Sequence, residues 1–342
     1  MATQTSTGFV TTLSPAPDPT QTYFDTALLM NSEYYLFHSR WASKRSLSKR
    51  QGKNIILRRY ALFAIAAGQL VEGEPPGGKT LSNTDFQATL VQFGDFVALT
   101  DFAEFTQADE VLNVAVDKLG RQAGYTMDAV DRDVAVAGTG NVIFSNGTAR
   151  TSISTIVDGN DLDRLIRSLQ EDGARMMIKG SAAQSGQGTF PTMPGYPCIT
   201  DPAVYMDLQN LSGFRSVETY KSGGGTFEGE MGRYKNLVFF VAPDPDNLGA
   251  GAKVFNSGGA ASAVIDNTSG TADVHIILAF GEEGFTQVPL NGESTGTIMK
   301  KLGSAGTADP LNQVQTVGWK NTSTRLRTNE NWLGRIECGA SL

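Results

Sequence analysis

The chain has 342 residues, 40% of them apolar, which is enough for a sizeable buried core and about two domains and excludes a disordered protein. Its 38 glycines are about 11% of the chain against a usual ~7%, which favours tight turns and long β segments over a helical bundle. The net charge of -7, from 28 basic and 35 acidic residues, argues against a surface that binds nucleic acid all over.

Residues 1–22 are rich in Thr, Ser and Pro, and they lack a basic start followed by an apolar stretch. This composition predicts a flexible arm, and neither a signal peptide nor a membrane anchor. The longest apolar run, residues 61–67, is far shorter than the ~20 residues that cross a bilayer. We therefore expect no membrane partner.

Two blocks of opposite charge follow the arm. Between residues 40 and 59 there are eight basic residues and no acid, and between residues 72 and 117 there are nine acids and one base. Such blocks suit head-to-tail contact between copies of the chain, although solvated faces have the same composition. The hypothetical contact residues between subunits are Arg40, Lys44, Arg45, Lys49, Arg50, Lys53, Arg58, Arg59, Glu72, Glu74, Asp85 and Asp95.

A long β-hairpin is predicted from residues 54–65 and 86–97, which are two β-prone arms on either side of the Gly- and Pro-rich segment 73–78. Each arm of about twelve residues extends ~40 Å at ~3.3 Å per residue. An isolated two-stranded ribbon is only marginally stable in water, so the hairpin needs another surface to lie against. We expect residues 53–99 to lie across a neighbouring copy.

The tip of this hairpin, residues 73–80, matches the pattern of a phosphate-binding loop letter for letter. Such a loop needs backbone N–H groups and a helix that begins at the lysine, here Lys79. Pro75 and Pro76 remove two of those N–H groups, and the residues that follow predict a strand. A hairpin tip is therefore the favoured interpretation, with a nucleotide hydrolase using Lys79 as the alternative.

The clearest helix is predicted from Phe105 to Ala137, where apolar residues recur at steps of three and four. Thr106 and Asp109 form a start like a capping box, and Gly138 follows the last turn. About thirty residues at 1.5 Å each give a rod of ~45 Å. A rod of that length can serve as an axis for sheets and loops.

Downstream of this helix, strands and helices alternate before the pattern becomes mainly β. The predicted elements are a helix over 160–172 capped by Asn160 or Asp161 and stopped by Gly173, a strand over 174–178, a strand over 196–200, a helix from Asp201 and Pro202 through Leu211, strands over 235–241 and 273–280, and a closing ribbon over 315–336.

Two cysteines, Cys198 and Cys338, and two histidines, His38 and His275, limit the chemistry of the chain. They are too few for a Cys-only zinc site or a disulfide-stapled domain, and a reducing compartment fits best. His275 lies in an apolar run and predicts a structural histidine on a strand, and His38 is no more suggestive of catalysis. We expect no catalytic residue, metal site or cofactor.

Five local strings carry a resemblance to a known family: YFDTALL (23–29), QFGDFVALTD (92–101), GEMGRY (229–234), GSAGTADPLNQ (303–313) and TVGWK (316–320). Together with the order of the predicted parts, they resemble the major capsid proteins of tailed bacteriophages with the Hong Kong 97 (HK97) type fold, which is an α+β fold. Within that fold they are similar to the family named for the capsid protein of the coliphage N-four.

This resemblance implies a division of the chain into five parts. They are an N-terminal arm (1–48), an extended-loop hairpin (49–100), a P-domain spine helix (101–160), a mixed α/β A-domain (161–315) that meets its neighbours at the capsomer centre, and a C-terminal P-domain ribbon (316–342).

The resemblance also implies a function. The chain would self-assemble into the pentamers and hexamers of an icosahedral shell around double-stranded DNA, without sequence-specific DNA binding, in the cytoplasm of a bacterial host. Its partners would be other copies of itself together with portal, scaffolding and decoration proteins. Besides the nucleotide hydrolase, a β-rich tail or adhesin component is the alternative.

Overall fold

The computed structural model describes residues 9–10, 37–48, 50, 52–65, 78–106, 111–178, 193–220, 227, 229–244, 251–262, 267–268, 270–290, 296–304 and 309–341. The strands in these ranges are β1 (Phe9–Val10), β2 (Ser43–Lys44), β3 (Asn54–Tyr60), β4 (Asn83–Thr89), β5 (Val91–Thr100), β6 (Asn141–Phe144), β7 (Tyr196–Thr200), β8 (Phe214–Ser216), β9 (Glu230–Tyr234), β10 (Leu237–Val241), β11 (Val254–Phe255), β12 (Asn267–Thr268), β13 (Thr271–Ala272), β14 (Val274–Phe280), β15 (Phe285–Pro289), β16 (Gly296–Lys300), β17 (Val314–Arg327) and β18 (Leu333–Cys338). The helices are α1 (Asp101–Thr106), α2 (Val111–Val136), α3 (Gly159–Glu171), α4 (Pro202–Gln209) and α5 (Val217–Tyr220).

The fourteen-residue strand β17 organises a six-stranded sheet. It pairs antiparallel with β5 along one edge, and with β15 and β16 along the other. Strand β2 adds to β15 in parallel, and β1 adds to β5 in parallel. Gly318 permits this packing, because a Cβ atom there would lie 2.8 Å from the Cβ of Phe96 on the adjacent strand.

A second, eight-stranded sheet has the order β6-β18-β14-β7-β10-β9-β8, with β11 pairing to β14. Helices α3 and α4 cover one of its faces, where Leu165 and Leu208 pack on Phe239 and Ile336. The amphipathic repeat of α3 places its apolar side chains on this sheet, and burial of each large one contributes about 1.5–3 kcal/mol. This is the largest apolar core within the described residues.

Helix α2 connects the two sheets. Its residues Leu119, Ala123 and Met127 pack on the six-stranded sheet at Val317 and Trp319. Its last turn, through Ala135 and Val136, packs against the second face of the eight-stranded sheet. The helix therefore fixes the position of one sheet relative to the other, as the sequence leads us to expect of a rod-like axis.

A buried polar network fastens the chain around His38 to the middle of α2. The Nδ1 atom of His38 lies 2.7 Å from Asp128, which also accepts the backbone N–H groups of His38 and Ser39. One turn along the helix, Asp131 accepts a hydrogen bond from Arg325 of β17 at 2.5 Å and another from the Ser39 hydroxyl. The network joins the segment before β2, the helix and the six-stranded sheet.

The structure corrects the predicted hairpin. The second arm, expected over 86–97, is two strands: β4 pairs with β3, whereas β5 turns into the six-stranded sheet and pairs with β17. Phe93 and Phe96 therefore belong to the body of the protein and not to the hairpin. The apolar alternation changes phase between Leu90 and Val91, but no glycine or proline marks the place, so the sequence by itself predicts one continuous arm.

The prediction of a closing ribbon over 315–336 is also wrong. Strands β17 and β18 do not pair with each other, because β17 lies in the six-stranded sheet and β18 pairs with β14 and β6 in the other sheet. The turn between them crosses from one sheet to the other. Both strands exist near the expected positions, so the sequence located the elements and misplaced their partners.

Smaller differences concern element ends. The structure describes α1 up to Thr106 and α2 from Val111, and residues 107–110, with the predicted cap Asp109, lie outside the described residues. Asp158, and not Asn160 or Asp161, caps α3, with Asp161 completing a capping box. The segment 174–178 forms isolated bridges and no continuous strand. Gly173 ends α3 with a positive φ, as predicted.

Candidate subunit interface

The hairpin of β3 and β4 is a separate two-stranded sheet that projects from the body. We call residues 61–65 and 78–82 its outer end. Leu62 is 98% exposed and Ile65 is 94% exposed, and Phe63 and Leu81 are also largely exposed. A cluster of large apolar side chains that the described part of its own chain leaves largely exposed marks a surface for protein contact.

Polar contacts within the hairpin hold its two strands in register. Arg58 and Asp85 are directly opposite each other on β3 and β4, and the guanidinium donates two hydrogen bonds to the carboxylate, at 2.7 and 2.9 Å. The hydrogen bond from Arg58 holds the pKa of Asp85 below its usual range, and the same bond raises the pKa of Arg58. The guanidinium of Arg59 lies over the ring of Phe86, 5.3 Å from its centroid.

A cleft of about 750 Å³ lies between β3 and the body. Residues 56–62 form one wall, and the end of α3 together with the turn between β17 and β18 forms the other. Its charged lining residues are Arg45, Arg58, Arg59, Arg175, Asp172 and Glu283. The cleft is therefore basic on balance, and its lining also includes Trp332.

A second concavity, of about 450 Å³, lies on the six-stranded sheet between β5, β16 and β17. Phe96, which is 62% exposed, Gly318 and Ile298 stand in one row across the three strands. Lys300 and Lys320 lie at its rim. We call this concavity the outer groove; its floor is apolar and its edges are basic.

The structure distributes the twelve hypothetical contact residues over several surroundings. Arg58 and Asp85 pair with each other inside one hairpin, and Asp95 accepts a hydrogen bond from Gln122 of α2. Arg45 lies 3.4 Å from Glu283 at the surface. Arg40 lies beside the rings of Trp41, Phe227 and Phe240. Lys44 is on β2, Lys53 precedes β3, Arg59 lines the cleft, and Arg50 has a positive φ. Lys49, Glu72 and Glu74 lie outside the described residues.

The loop that matches the phosphate-binding pattern is followed by a strand. Lys79 donates a hydrogen bond to the carbonyl of Ala64 across the hairpin, 2.5 Å away, and β4 begins at Asn83. The prediction that a strand follows Thr80 is confirmed, and residues 73–77 lie outside the described residues. A helix N-terminus, the second element that a phosphate site requires, does not follow Lys79 in this part of the chain.

The other reactive side chains serve the core. Burial raises the pKa of both thiols, Cys198 and Cys338, so neither is a thiolate near neutral pH. His275 is a buried residue of β14, as predicted. Burial also raises the pKa of Asp131.

Among the described residues no three His, Cys, Asp or Glu side chains converge as a metal site would require. No helix in the described part of the chain is long and apolar enough to span a membrane.

Comparison with known proteins gives the class of the molecule. The family described as phage capsid protein matches residues 83–320. No curated protein sequence matches the chain. Among solved structures, the capsid of Ralstonia phage GP4 is similar with a TM-score of 0.62 at 12% identity, covering 97% of this chain and 98% of that one.

Two further solved structures show the same similarity along nearly their whole length. The head structure of Helicobacter pylori bacteriophage KHP40 has a TM-score of 0.64 at 12% identity, covering 95% of this chain and 98% of that one. The Cyanophage Pam1 capsid has a TM-score of 0.62 at 13% identity, covering 97% of this chain and 99% of that one.

A long helix joining two sheets and a projecting hairpin, in a fold shared with these capsids, define a shell subunit with the HK97-type fold. The fold class predicted from the sequence is confirmed. Because the family match spans more than half of the chain, the protein belongs to the phage capsid protein family. It is a major capsid protein, a structural component of the bacteriophage head.

Sequence reasoning missed two features of the candidate interface. The cleft draws Arg175 and Trp332 from segments far from the basic block, and no local pattern connects them with β3. The outer groove depends on Gly318 and Phe96 being neighbours across β5 and β17. A glycine within a β-prone run, as at 318, is the signal that could have indicated a close approach of this kind.

Proposed function

We propose that this capsid protein forms the pentamers and hexamers of an icosahedral head around double-stranded DNA, and that it does so as a structural subunit without catalysing a reaction. The observation that carries the proposal is the hairpin, whose outer end exposes Leu62 and Ile65 almost fully and Phe63 by more than half in the described structure. Head-to-tail contacts that close into rings produce such capsomers.

The division into parts fits this role. The hairpin falls within 49–100 and the spine helix within 101–160, while 161–315 contains most of the eight-stranded sheet and would meet its neighbours at the capsomer centre. The arm 1–48 and the C-terminal segment 316–342, whose two strands enter different sheets, complete the subunit. Portal, scaffolding and decoration proteins would join the shell during assembly in the host cytoplasm.

A tail or adhesin component is the alternative to test, because it would form a small closed oligomer. Negative-stain microscopy of the chain, expressed alone and together with its neighbouring genes, distinguishes the two. Shells of uniform diameter support the proposed function, and a small ring or fibre from both preparations contradicts it.

Replacing Lys79 with Ala is expected to leave shell assembly intact, because Lys79 contacts only a hairpin carbonyl in the described structure and a strand follows it. Loss of one exposed hydrogen bond costs on the order of 1 kcal/mol or less. Shell yield by sedimentation and ATP binding by calorimetry check this expectation. ATP binding by the unaltered protein that the variant lacks would establish a nucleotide site.

Reversing Arg45, Lys49 and Arg50 to Glu is expected to impair assembly, most strongly at low salt. Each exposed pair contributes ~0–1 kcal/mol and is screened within ~10 Å at 0.1 M salt, so only the summed contact has an effect. The matched variant with Gln at the three positions should lose less. Shell yields measured across a salt series should fall from the unaltered protein to the Gln variant to the Glu variant. Equal yields from these three proteins would mean that this block is a solvated face.

A further inference from the structure

We infer that Arg327 and Arg335 clamp the carboxyl end of α2 and thereby lock the angle between the two large sheets. Arg327 is the last residue of β17 in the six-stranded sheet, and Arg335 lies on β18 in the eight-stranded sheet. The inference deepens the proposed function, because the angle between two contact surfaces of one subunit sets the curvature of a shell that is built from many copies.

After α2, the described chain passes between the two large sheets at three places, and these places contact one another. They are the segment between α2 and β6, the turn between β14 and β15, and the turn between β17 and β18. The backbone N–H of Gly281 donates to the carbonyl of Trp332 at 2.8 Å, which joins the two turns. The side-chain amide of Asn141, at the start of β6, donates to the carbonyl of Asn331 at 2.6 Å. Any rotation of one sheet relative to the other would therefore occur at this junction.

The carboxyl end of α2 lies at the same junction, and it favours positive charge. The last carbonyl groups of a helix have no intrahelical partner, and they carry the negative end of the helix dipole. The last turn of α2 has no basic residue, and the two residues that follow the helix are Ala137 and Gly138. A cation at this end therefore has to come from another part of the chain.

The two arginines supply this charge, one from each sheet. The Nη1 atom of Arg327 donates to the carbonyl of Val134 at 3.0 Å. The Nη1 atom of Arg335 donates to the carbonyl of Val136 and, at 2.7 Å, to that of Gly138. Because β17 and β18 lie in different sheets, the two guanidinium groups connect both sheets to the same helix end.

Carboxylates hold both guanidinium groups in position. The Nε atom of Arg327 donates to Glu330 at 3.1 Å, and this hydrogen bond lowers the pKa of Glu330. The Nε atom of Arg335 lies 2.9 Å from the buried carboxylate of Glu337, which also accepts two hydrogen bonds from Arg150, at 2.6 and 2.7 Å. The clamp depends on the forked shape of each guanidinium, which reaches a carboxylate and a helix carbonyl together and which lysine does not have.

Spin labels on the two sheets measure the angle in unassembled subunits. Suitable labelling positions are Gln92→Cys on β5 and Gln209→Cys at the end of α4, because both glutamines are exposed. The native Cys198 and Cys338 are buried, so the label should react only at the introduced cysteines. The width of the label-to-label distance distribution then reports how far one sheet rotates relative to the other.

Arg327→Lys with Arg335→Lys keeps both charges and removes the fork. This variant should broaden the distance distribution by ~2-fold or more, because a hinge without its clamp samples a wider range of angles. Arg164→Lys with Arg167→Lys is the matched control on the exposed face of α3, and its distribution should keep the unaltered width.

Glu330→Gln is a milder variant of the same clamp. It removes the charge that holds the Arg327 guanidinium, and because the Glu330 side chain is 40% exposed the subunit should stay folded. Its distribution should be broader than the unaltered one and narrower than that of the paired lysine variant. If both variants keep the unaltered width, the clamp is overturned; a lower melting temperature with that width would mean that the arginines only stabilise the subunit.

Shell diameters test the consequence for assembly. Electron microscopy should show a spread of diameters that is ~2-fold or more wider for the paired lysine variant than for the unaltered protein. An unchanged spread of diameters with a broadened distance distribution would overturn the link between the sheet angle and shell curvature. Failure of the unaltered protein to form shells contradicts the proposed function and leaves the spin-label result in force, so the two failures are distinguishable.

Discussion

Replacing Leu62, Phe63 and Ile65 together with Ser is expected to abolish shell formation and leave the subunit folded. These side chains are exposed in the single subunit, so their loss removes no contact of its core. In a shell, burying each on a neighbour contributes about 1.5–3 kcal/mol, which makes on the order of 5–9 kcal/mol per contact before ordering costs. That sum exceeds any single exposed ion pair in the lattice, which is worth ~0–1 kcal/mol.

A conservative variant distinguishes an effect of buried apolar area from an effect of the particular side chains at the outer end. Leu62→Met with Phe63→Leu and Ile65→Leu keeps an apolar outer end and should still assemble, because swaps of similar volume are tolerated. Circular dichroism and thermal melting of the Ser variant should match those of the unaltered subunit. Normal shells from the Ser variant would show that the outer end is not buried on assembly.

Hydrogen exchange gives an independent measure of the same contact. In unassembled subunits the amides of β3 and β4 should exchange faster than those of β14 and β17, since the hairpin is a two-stranded sheet with little apolar cover. In shells the hairpin amides should become strongly protected. Equal protection in both states would mean that the hairpin already packs on its own subunit, and its proposed role between copies would be wrong.

The long helix shows what the sequence could establish. Apolar spacing at three and four residues located α2 and its role as an axis, because Leu119, Ala123 and Met127 face one sheet at helical period. The strands β7, β10 and β14 were found in the same way, from apolar runs bounded by turn residues. Local apolar periodicity is sufficient to locate a helix or strand wherever that element has a single buried face.

Partners of strands could not be predicted from local pattern. Residues 86–97 read as one arm, yet the chain changes sheets at Leu90, and β17 and β18 enter different sheets although they follow each other directly. Pairing is decided by contacts between residues far apart in sequence, such as those of β5 with β17. The cleft arises from the same long-range assembly, so its arginine from segment 174–178 could not be assigned to an interface in advance.

Asp131→Ala is expected to destabilise the subunit by about 3–5 kcal/mol, because it leaves the guanidinium of Arg325 buried without its carboxylate. The Ser39 hydroxyl loses its acceptor in the same change. For a chain of this size the melting temperature should fall on the order of 6–10 °C, at ~2 °C per kcal/mol. Since this network fastens α2 to the six-stranded sheet, shells of the variant should also fail at lower temperature than unaltered shells.

Asp117→Ala on the same helix is the matched control, since Asp117 is exposed and forms an i,i+4 pair with Arg121 at 3.2 Å. Its loss should cost only ~0.3–0.5 kcal/mol. The double variant Asp131→Leu with Arg325→Met should recover most of the stability, because apolar groups of similar volume can replace a buried pair. Differential scanning calorimetry of unassembled subunits measures all three. Equal small losses from Asp131→Ala and Asp117→Ala would mean that water reaches Arg325 and that the network does not hold the helix to the sheet.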